Sequence, residues 1–333
     1  LTMELATTHL GLKLKNPLIA SASPLTASLD SIKKLEDNGI AAVIMHSLFE
    51  EEINHEIQQI DHFLHIHSNA NAEATTYLPS EVDFDNLHSE QYLEEIRKIK
   101  ESIQIPIIAS LNGVSAGGWV KYAKKLQEAG ADALELNITY IPTSIDMEGH
   151  TVEQMYIDTV AQVKEHISIP LNVKMNAYFS SPANMAKRFV EAGANGLTIF
   201  DNPTRVDVDL ELLTPLQRAN ITSSANVSET LRWCAILYNK LPCSVCAGTG
   251  IHSAEDVLKA IMSGADAVAL ASVLLTKGEA QAAVILNEII QWMQEYEYES
   301  ISQMKGSISL GHTDNPSAYE RNSYMYALQQ YRR

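Results

Sequence analysis

The residue in this chain whose type and setting most demand a chemical explanation is Lys174. It stands in an otherwise apolar run, Pro170–Met175 (PLNVKM), where burying an ammonium without a partner is costly. Three chemistries fit such a lysine. Aimed into a binding cavity, it balances an anionic reduced cofactor or an enolate-like intermediate. As a free amine it forms a Schiff base. Paired with Glu135, in another apolar run, it is a structural ion pair. Neighbouring runs also end in polar groups: Ser110 and Asn112 close one, Asn137 another with Thr139 and Tyr140 beyond it, and Asp201 and Asn202 a third. Amides and hydroxyls at several tips of matching depth suit bidentate recognition of a planar, amide-bearing ring. Two later sites are built of small residues, Gly248-Thr249-Gly250 and Ala271-Ser272. Small residues let backbone N–H groups approach an anion, and a following helix favours its charge. These spacings point to a phosphate site; ordinary tight turns are the alternative.

The elements that position these residues form a regular series. Eight short apolar runs recur at helix-length intervals: Pro17–Ser21, Ala41–Ser47, Pro106–Asn112, Ala133–Ile138, Pro170–Met175, Gly196–Asp201, Cys243–Gly248 and Ala267–Ser272. Each is too short for a helix and too evenly apolar for a one-sided strand, as expected of a parallel strand covered on both faces. The intervals read as helices: Leu25–Asn38, Ser89–Ile103, Ser115–Ala129, Thr151–Ile167, Ser181–Ala192, Ser228–Lys240, Ser253–Ser263 and Gly278–Glu297. The alternation predicts a single (β/α)₈ barrel spanning residues 1–333, with its chemistry at the C-terminal strand ends and a phosphate site after strands seven and eight. Thr151 precedes Gln154 by three, and Ser253 precedes Asp256 by three; both are capping-box spacings. Three helix ends repeat one form, EAGAD at 128–132, EAGAN at 191–195 and SGADA at 263–267, each with a closing glycine. Residues 1–17 alternate and turn at Gly11, predicting a small β-hairpin under the barrel floor. The stretch from Phe49 to His88 is a long insertion after strand two, of the kind that forms lids or substrate loops. The tail ends in a helix over Ala318–Tyr331.

Composition narrows the function classes. The chain has 333 residues, 46% hydrophobic and 20% charged, as ordinary globular proteins do. A formal net charge of −17 argues against nucleic acid and anionic membranes as partners. No apolar stretch approaches the ~20 residues needed to span a bilayer, and the first residues lack a signal-peptide core. The three cysteines imply no disulfide framework and a reducing cytoplasm. Cys243 and Cys246 fall within one strand, where residues three apart face opposite sides, so they read as structural. His62, His65 and His67 have metal-like spacing but no completing carboxylate or cysteine; a solvated cluster is expected, with no metal. Glu50–Glu52 reads as a solvated face.

These residues together resemble the dihydroorotate dehydrogenase family of FMN-dependent barrels, in particular its bacterial dihydroorotate-dehydrogenase-like members. The likeness rests on NPLIASAS at 16–23, ELNI at 135–138, VKM at 173–175, the Thr249-Gly250 and Ala271-Ser272 pairs, TIFDNPTRVDVDLE at 198–211, YESISQMKGS at 298–307 and YERNSYMYAL at 319–328. It implies a bound FMN. Ser21, Ala22 and Ser23 match the first-strand turn lining the flavin; Asn112, Asn137 and Asp201 match strand ends around it. Lys174 matches the lysine at flavin N1 and O2, and Thr249, Gly250, Ala271 and Ser272 match the phosphate cradle. Asn137 and Asn202 fall at substrate positions. The implied reaction is hydride transfer from dihydroorotate or a related cyclic amide to flavin N5, in pyrimidine biosynthesis, by a homodimer.

The likeness also has departures. Tyr140, with Thr139 beside it, occupies the position of the family's Cys or Ser base. Ile141-Pro142 replaces Pro and a substrate-binding Asn, His46 replaces a lysine at the end of strand two, and Ser80 is the nearest counterpart of a second substrate-side asparagine. The flavin half of the site is thus better matched than the orotate half. A phosphate-binding aldolase-type barrel using Lys174, and a flavin-binding protein without turnover, are the competing readings.

Overall fold

The computed structural model describes residues 3–49, 87–113, 116–201, 204–321 and 323–331. Ser80, Asn202, Glu50–Glu52, the histidine cluster (His62, His65, His67) and most of the insertion expected as a lid lie outside them.

A hairpin, β1 (Thr7–His9) and β2 (Leu12–Leu14), precedes the barrel. The barrel strands are β3 (Leu18–Ala20), β4 (Ala42–Phe49), β5 (Ile107–Gly113), β6 (Ala133–Ile138), β7 (Leu171–Asn176), β8 (Gly196–Asp201), β11 (Ser244–Ala247) and β12 (Ala267–Leu270). They close a parallel ring in the order β11-β12-β3-β4-β5-β6-β7-β8, so the eight apolar runs are the eight barrel strands. Alternation decides what each strand shows to either side. On β5, Ile107, Ala109 and Leu111 pack outward, whereas Ile108 belongs to the interior cluster. On β6 and β7, Leu134, Leu136, Leu171, Val173 and Met175 likewise pack outward. The opposite parity carries Ser110 and Asn112, Glu135 and Asn137, Asn172 and Lys174. The barrel is therefore apolar toward its helices and increasingly polar inside, toward the C-terminal strand ends.

The outer layer comprises α1 (Leu29–Asp37), α2 (Leu87–Ser102), α3 (Ala116–Glu128), α4 (Gly149–His166), α5 (Pro182–Glu191), α6 (Val227–Leu237), α7 (Ala254–Ser263), α8 (Ser272–Lys277) and α9 (Gln281–Glu295). A short α10 (Ile301–Met304) follows, then α11 (Ser317–Glu320) and α12 (Tyr324–Tyr331). No described helix is long and apolar enough to cross a membrane. The repeated helix ends have a shared purpose. Gly130, Gly193 and Gly264 take φ of +103°, +108° and +126°, closing their helices. The polar residue two positions later then caps the start of the preceding strand. Asp132 Oδ2 accepts from Ile107 N at 2.7 Å, Asn195 Oδ1 from Leu171 N at 2.9 Å, and Asp266 Oδ2 from Val245 N at 2.8 Å. A lysine completes each cap: Lys100, Lys164 and Lys305 respectively.

The N-terminal hairpin closes the floor, as its sequence predicts. Leu10 and Leu14 join Ile19, Ile44, Ile108, Ala133, Cys246, Ala267 and Ala269 in one interior cluster. Cys246 lies in that cluster, Cys243 packs on the outer one, and all three cysteines are free.

Several boundaries differ from expectation for identifiable reasons. Residues 25–38 do not form one helix: Pro24–Thr26 is a separate 3₁₀ turn, and Ser28 caps α1 by accepting from Ser31 N at 3.3 Å. The Thr151–Gln154 capping box is not formed, because α4 begins two residues earlier at Gly149. The Ser253–Asp256 box is formed, with Ser253 Oγ accepting from Asp256 N at 3.2 Å and Asp256 Oδ2 from Ser253 N at 3.1 Å. The stretch 278–297 is preceded by α8, which Gly278 ends, and the tail helix is broken at Arg321, whose backbone is extended. The unforeseen element is a second hairpin, β9 (Thr204–Asp209) with β10 (Thr214–Ala219), projecting after β8.

Candidate active site

The strand ends bring most of the expected residues to one rim. Asn112, Asn137 and Lys174 are register neighbours across β5, β6 and β7. The Thr139 hydroxyl lies 3.2 Å from Asn112 Oδ1 and 3.4 Å from Asn137 Oδ1, tying two amides together just above the strands. Lys174 Nζ reaches Asp201 Oδ1 on β8 at 3.2 Å, with both side chains largely buried. Its charge is thus matched across the strand pair rather than by the Glu135 ion pair considered from sequence. A register shift between Met175 and Asn176 sets Asn176 opposite Asp201. Burial pulls the Lys174 pKa down, but the carboxylate of Asp201, which both attracts the ammonium and accepts its hydrogen bond, leads the influences that more than reverse this.

The rim continues through the later strands. Ser21 is buried and donates its N–H to Leu270 O at 2.9 Å; Ala22 packs on the interior cluster, and Ser23 opens the 3₁₀ turn. Thr249 donates its hydroxyl to Phe200 O, and Thr230 donates to Thr249 O at 3.0 Å. Gly250 has φ +83°, and a Cβ there would lie 2.4 Å from Val227 N. Only glycine combines that conformation with so close a neighbour. Ala271 and Ser272 start α8.

Two residues that the sequence did not single out join this cradle. Thr222, just after β10, donates its N–H to Ser272 Oγ at 3.1 Å, and its hydroxyl lies 3.0 Å from His252 Nε2. One threonine thereby links the loops that follow β11 and β12. No spacing or composition marks it; the link exists only because the second hairpin returns the chain over the cradle.

His46 and Tyr140 take other positions. Between Ile44 and Ser47 the β4–β5 register shifts. One extra residue on a strand reverses the parity beyond it. Ser47, not His46, consequently meets Ser110, Oγ to Oγ at 2.9 Å. His46 instead stands with its ring edge against Tyr92 (centroids 4.8 Å apart) and Nε2 4.0 Å from Glu95, both on α2. The structure therefore does not bring His46 to the rim formed by Asn112, Asn137 and Lys174; Ser47 takes the inward place. Tyr140 is half-buried, its N–H donating to Tyr156 Oη at 3.3 Å and its own hydroxyl to Met147 Sδ at 3.4 Å. A thioether is a weak acceptor, so this phenol has no strong partner there. Among the described residues no cluster of histidine, cysteine or carboxylate groups is arranged to hold a metal.

The donor set fits a flavin mononucleotide: a buried lysine and paired amides for a planar polar ring, and a glycine turn beside hydroxyls for a phosphate. Comparison with known proteins identifies the family. The family model described as dihydroorotate dehydrogenase matches residues 80–293. The catalytic subunit of dihydroorotate dehydrogenase B (NAD(+)) from Thermoplasma acidophilum is 25% identical over 307 residues, covering 91% of this chain and 98% of that protein. The corresponding subunit from Methanocaldococcus jannaschii is 24% identical, covering 87% and 94%. The dihydroorotate dehydrogenase A (fumarate) of Lactobacillus helveticus is 24% identical, covering 65% and 72%.

Proposed function

The chain belongs to the dihydroorotate dehydrogenase family, and from that premise we propose that it oxidises dihydroorotate, or a related cyclic amide, with bound flavin mononucleotide in pyrimidine biosynthesis. It is an oxidoreductase of the dihydroorotate dehydrogenase type, acting on a CH–CH bond. The observation that carries the finer reading is the joined set of Asn112, Asn137, Thr139 and the charged Lys174 at one end of the barrel. The flavin, when bound, supplies the two-electron acceptor that takes hydride at N5.

The chain's own residues do the rest. Ser21, Ala22, Ser23, Asn112, Asn137 and Asp201 line the ring's place, and Thr249, Gly250, Ala271 and Ser272 hold the phosphate. Lys174, kept cationic, offers positive charge where negative charge develops. Asn137 and Asn202 orient the substrate by amide hydrogen bonds. Tyr140, in its phenolate form and assisted by Thr139, accepts the substrate proton at its phenol oxygen, becoming the neutral phenol. The reading includes a cytoplasmic homodimer. It is supported by three free cysteines and by the second hairpin, whose Val206 and Val208 are exposed on an uncharged face.

The aldolase alternative needs an uncharged Lys174, which the carboxylate of Asp201 opposes. Purified protein should show oxidised-flavin absorption, and dihydroorotate added without oxygen should bleach it. Colourless protein that cannot be reconstituted with FMN would remove the cofactor from the reading. A stable yellow colour after addition would remove this substrate.

A further inference from the structure

Beneath the Lys174–Asp201 pair lies a polar cluster sealed from water that the proposed reaction does not use. Its members are Glu135 on β6, Asn172 on β7 and Thr198 on β8, with relative exposures of 0%, 1% and 1%. Asn172 Nδ2 donates to Glu135 Oε2 at 2.9 Å and to Thr198 Oγ1 at 2.8 Å, and the Thr198 hydroxyl donates to the same Glu135 oxygen at 3.3 Å. Both hydrogen bonds that reach Glu135 fall on Oε2. The other carboxyl oxygen, Oε1, is buried with no hydrogen-bond partner among the described residues, as is Asn172 Oδ1.

Charge balance sharpens this asymmetry. Lys174 and Asp201 neutralise each other at 3.2 Å. A second carboxylate below them would leave a net negative charge in a region without water, where an uncompensated ion is strongly disfavoured. It would also leave that charge half on a bare oxygen. A carboxylic acid keeps both received hydrogen bonds on Oε2 and leaves an uncharged hydroxyl, in place of half a charge, at Oε1. The other titratable groups near Glu135 do not supply a counter-charge: the Cys246 thiol and the Tyr92 phenol are both pushed up by burial and stay neutral. Burial likewise pushes the Glu135 carboxyl above its usual range, with Lys174 opposing.

We propose that Glu135 is held as a neutral acid and is a positioning residue for Lys174. With Glu135 neutral, the ammonium has one carboxylate to answer, Asp201, which lies at the C-terminal end of the barrel where the site is. An ionised Glu135 would compete for it from below and draw it into the barrel, away from the site.

Infrared spectroscopy of the purified protein at neutral pH tests the protonation directly. A protonated-carboxyl stretch should be present, should shift on ¹³C-glutamate labelling of the wild-type protein, and should be lost in Glu135→Gln. Absence of such a band overturns the proposal, and the labelling arm reads the wild type even if the variant misfolds. The titration of the Lys174 side chain, followed by NMR of ¹³C-labelled lysine, tests the positioning. It should be unshifted in Glu135→Gln, because a neutral amide replaces a neutral acid; a downward shift would show that Glu135 was ionised and overturns the proposal. Neither readout depends on which substrate the protein takes, so the result stands apart from the success of the flavin reading.

Discussion

Lys174 and Asp201 face each other across β7 and β8 at 3.2 Å, and each is the other's nearest opposite charge inside the barrel. Removing one partner of a buried pair strands the other. Lys174→Ala should therefore lose about 3 to 5 kcal/mol of stability, and Lys174→Met combined with Asp201→Asn should recover part of it. Chemical denaturation of the three proteins checks this; a single variant as stable as the wild type would show that the pair is not buried as described. In the same variants, flavin reduction should fall far more than flavin retention, since the lysine's charge is wanted where electrons arrive. Stopped-flow reduction and equilibrium dialysis separate the two.

Gly250→Ala should both destabilise the fold and release the cofactor. The position has φ +83°, and an added Cβ would stand 2.4 Å from Val227 N and 2.6 Å from the carbonyl carbon of Asn226. Both are backbone atoms, which cannot rotate aside. A cost of about 1 to 3 kcal/mol is expected from the strained conformation alone, with further loss as α6 is pushed back. Gly278→Ala is the control: it also has positive φ but no atom within 4 Å. Thermal melts should separate the two variants, and flavin loss should follow the first only.

Tyr140→Phe should slow oxidation of the true substrate by ~10²-fold or more if its phenol is the base. The structure gives that hydroxyl a thioether as its acceptor, Met147 Sδ at 3.4 Å, a weak bond that a substrate or a proton-accepting group can replace. A variant with an unchanged pH–rate profile would move the role to Thr139. Fold should be unaffected, because the Tyr140 contact with Tyr156 is made by the backbone N–H.

What could be read from the chain and what could not divide along a physical line. The eight strands were visible because a parallel strand covered on both sides must be apolar on both. Of the polar residues at alternate positions of PLNVKMN, Lys174 stood out by its charge, while Asn172 and Asn176, of the same parity, were not marked because an amide in a buried strand is less costly than an ammonium. The shift between Ile44 and Ser47 was not visible, because a bulge is a property of strand pairing and leaves no mark on side-chain type. It turns the His46 side chain outward against α2 and gives Ser47 the inward place. The second hairpin did carry a signal. Arg205-Val206-Asp207-Val208-Asp209 alternates with period two, but it was passed over within a stretch assigned by likeness. Thr222 carried none, since its link to Ser272 and His252 depends on how that hairpin returns.

His9 gives the fold an acid limit of its own. It lies under the barrel beside Asp266 and Lys305, buried, with Nδ1 unpartnered among the described residues, and burial lowers its pKa from 6.5 to about 4. The folded protein therefore resists protonating this ring, while the unfolded chain accepts a proton at the ordinary value. Between those two pKa values the unfolded state binds more protons, so stability falls as pH drops from about 6.5 toward 4 and is fully present above that window. A separation of this size amounts to about 3 kcal/mol. Replacing the ring with a neutral side chain, as in His9→Gln, should remove this slope whatever it does to stability at pH 7. Urea denaturation of both proteins at several pH values between 4 and 7 measures it; equal slopes in the two would mean that the ring is charged or solvated in the folded state.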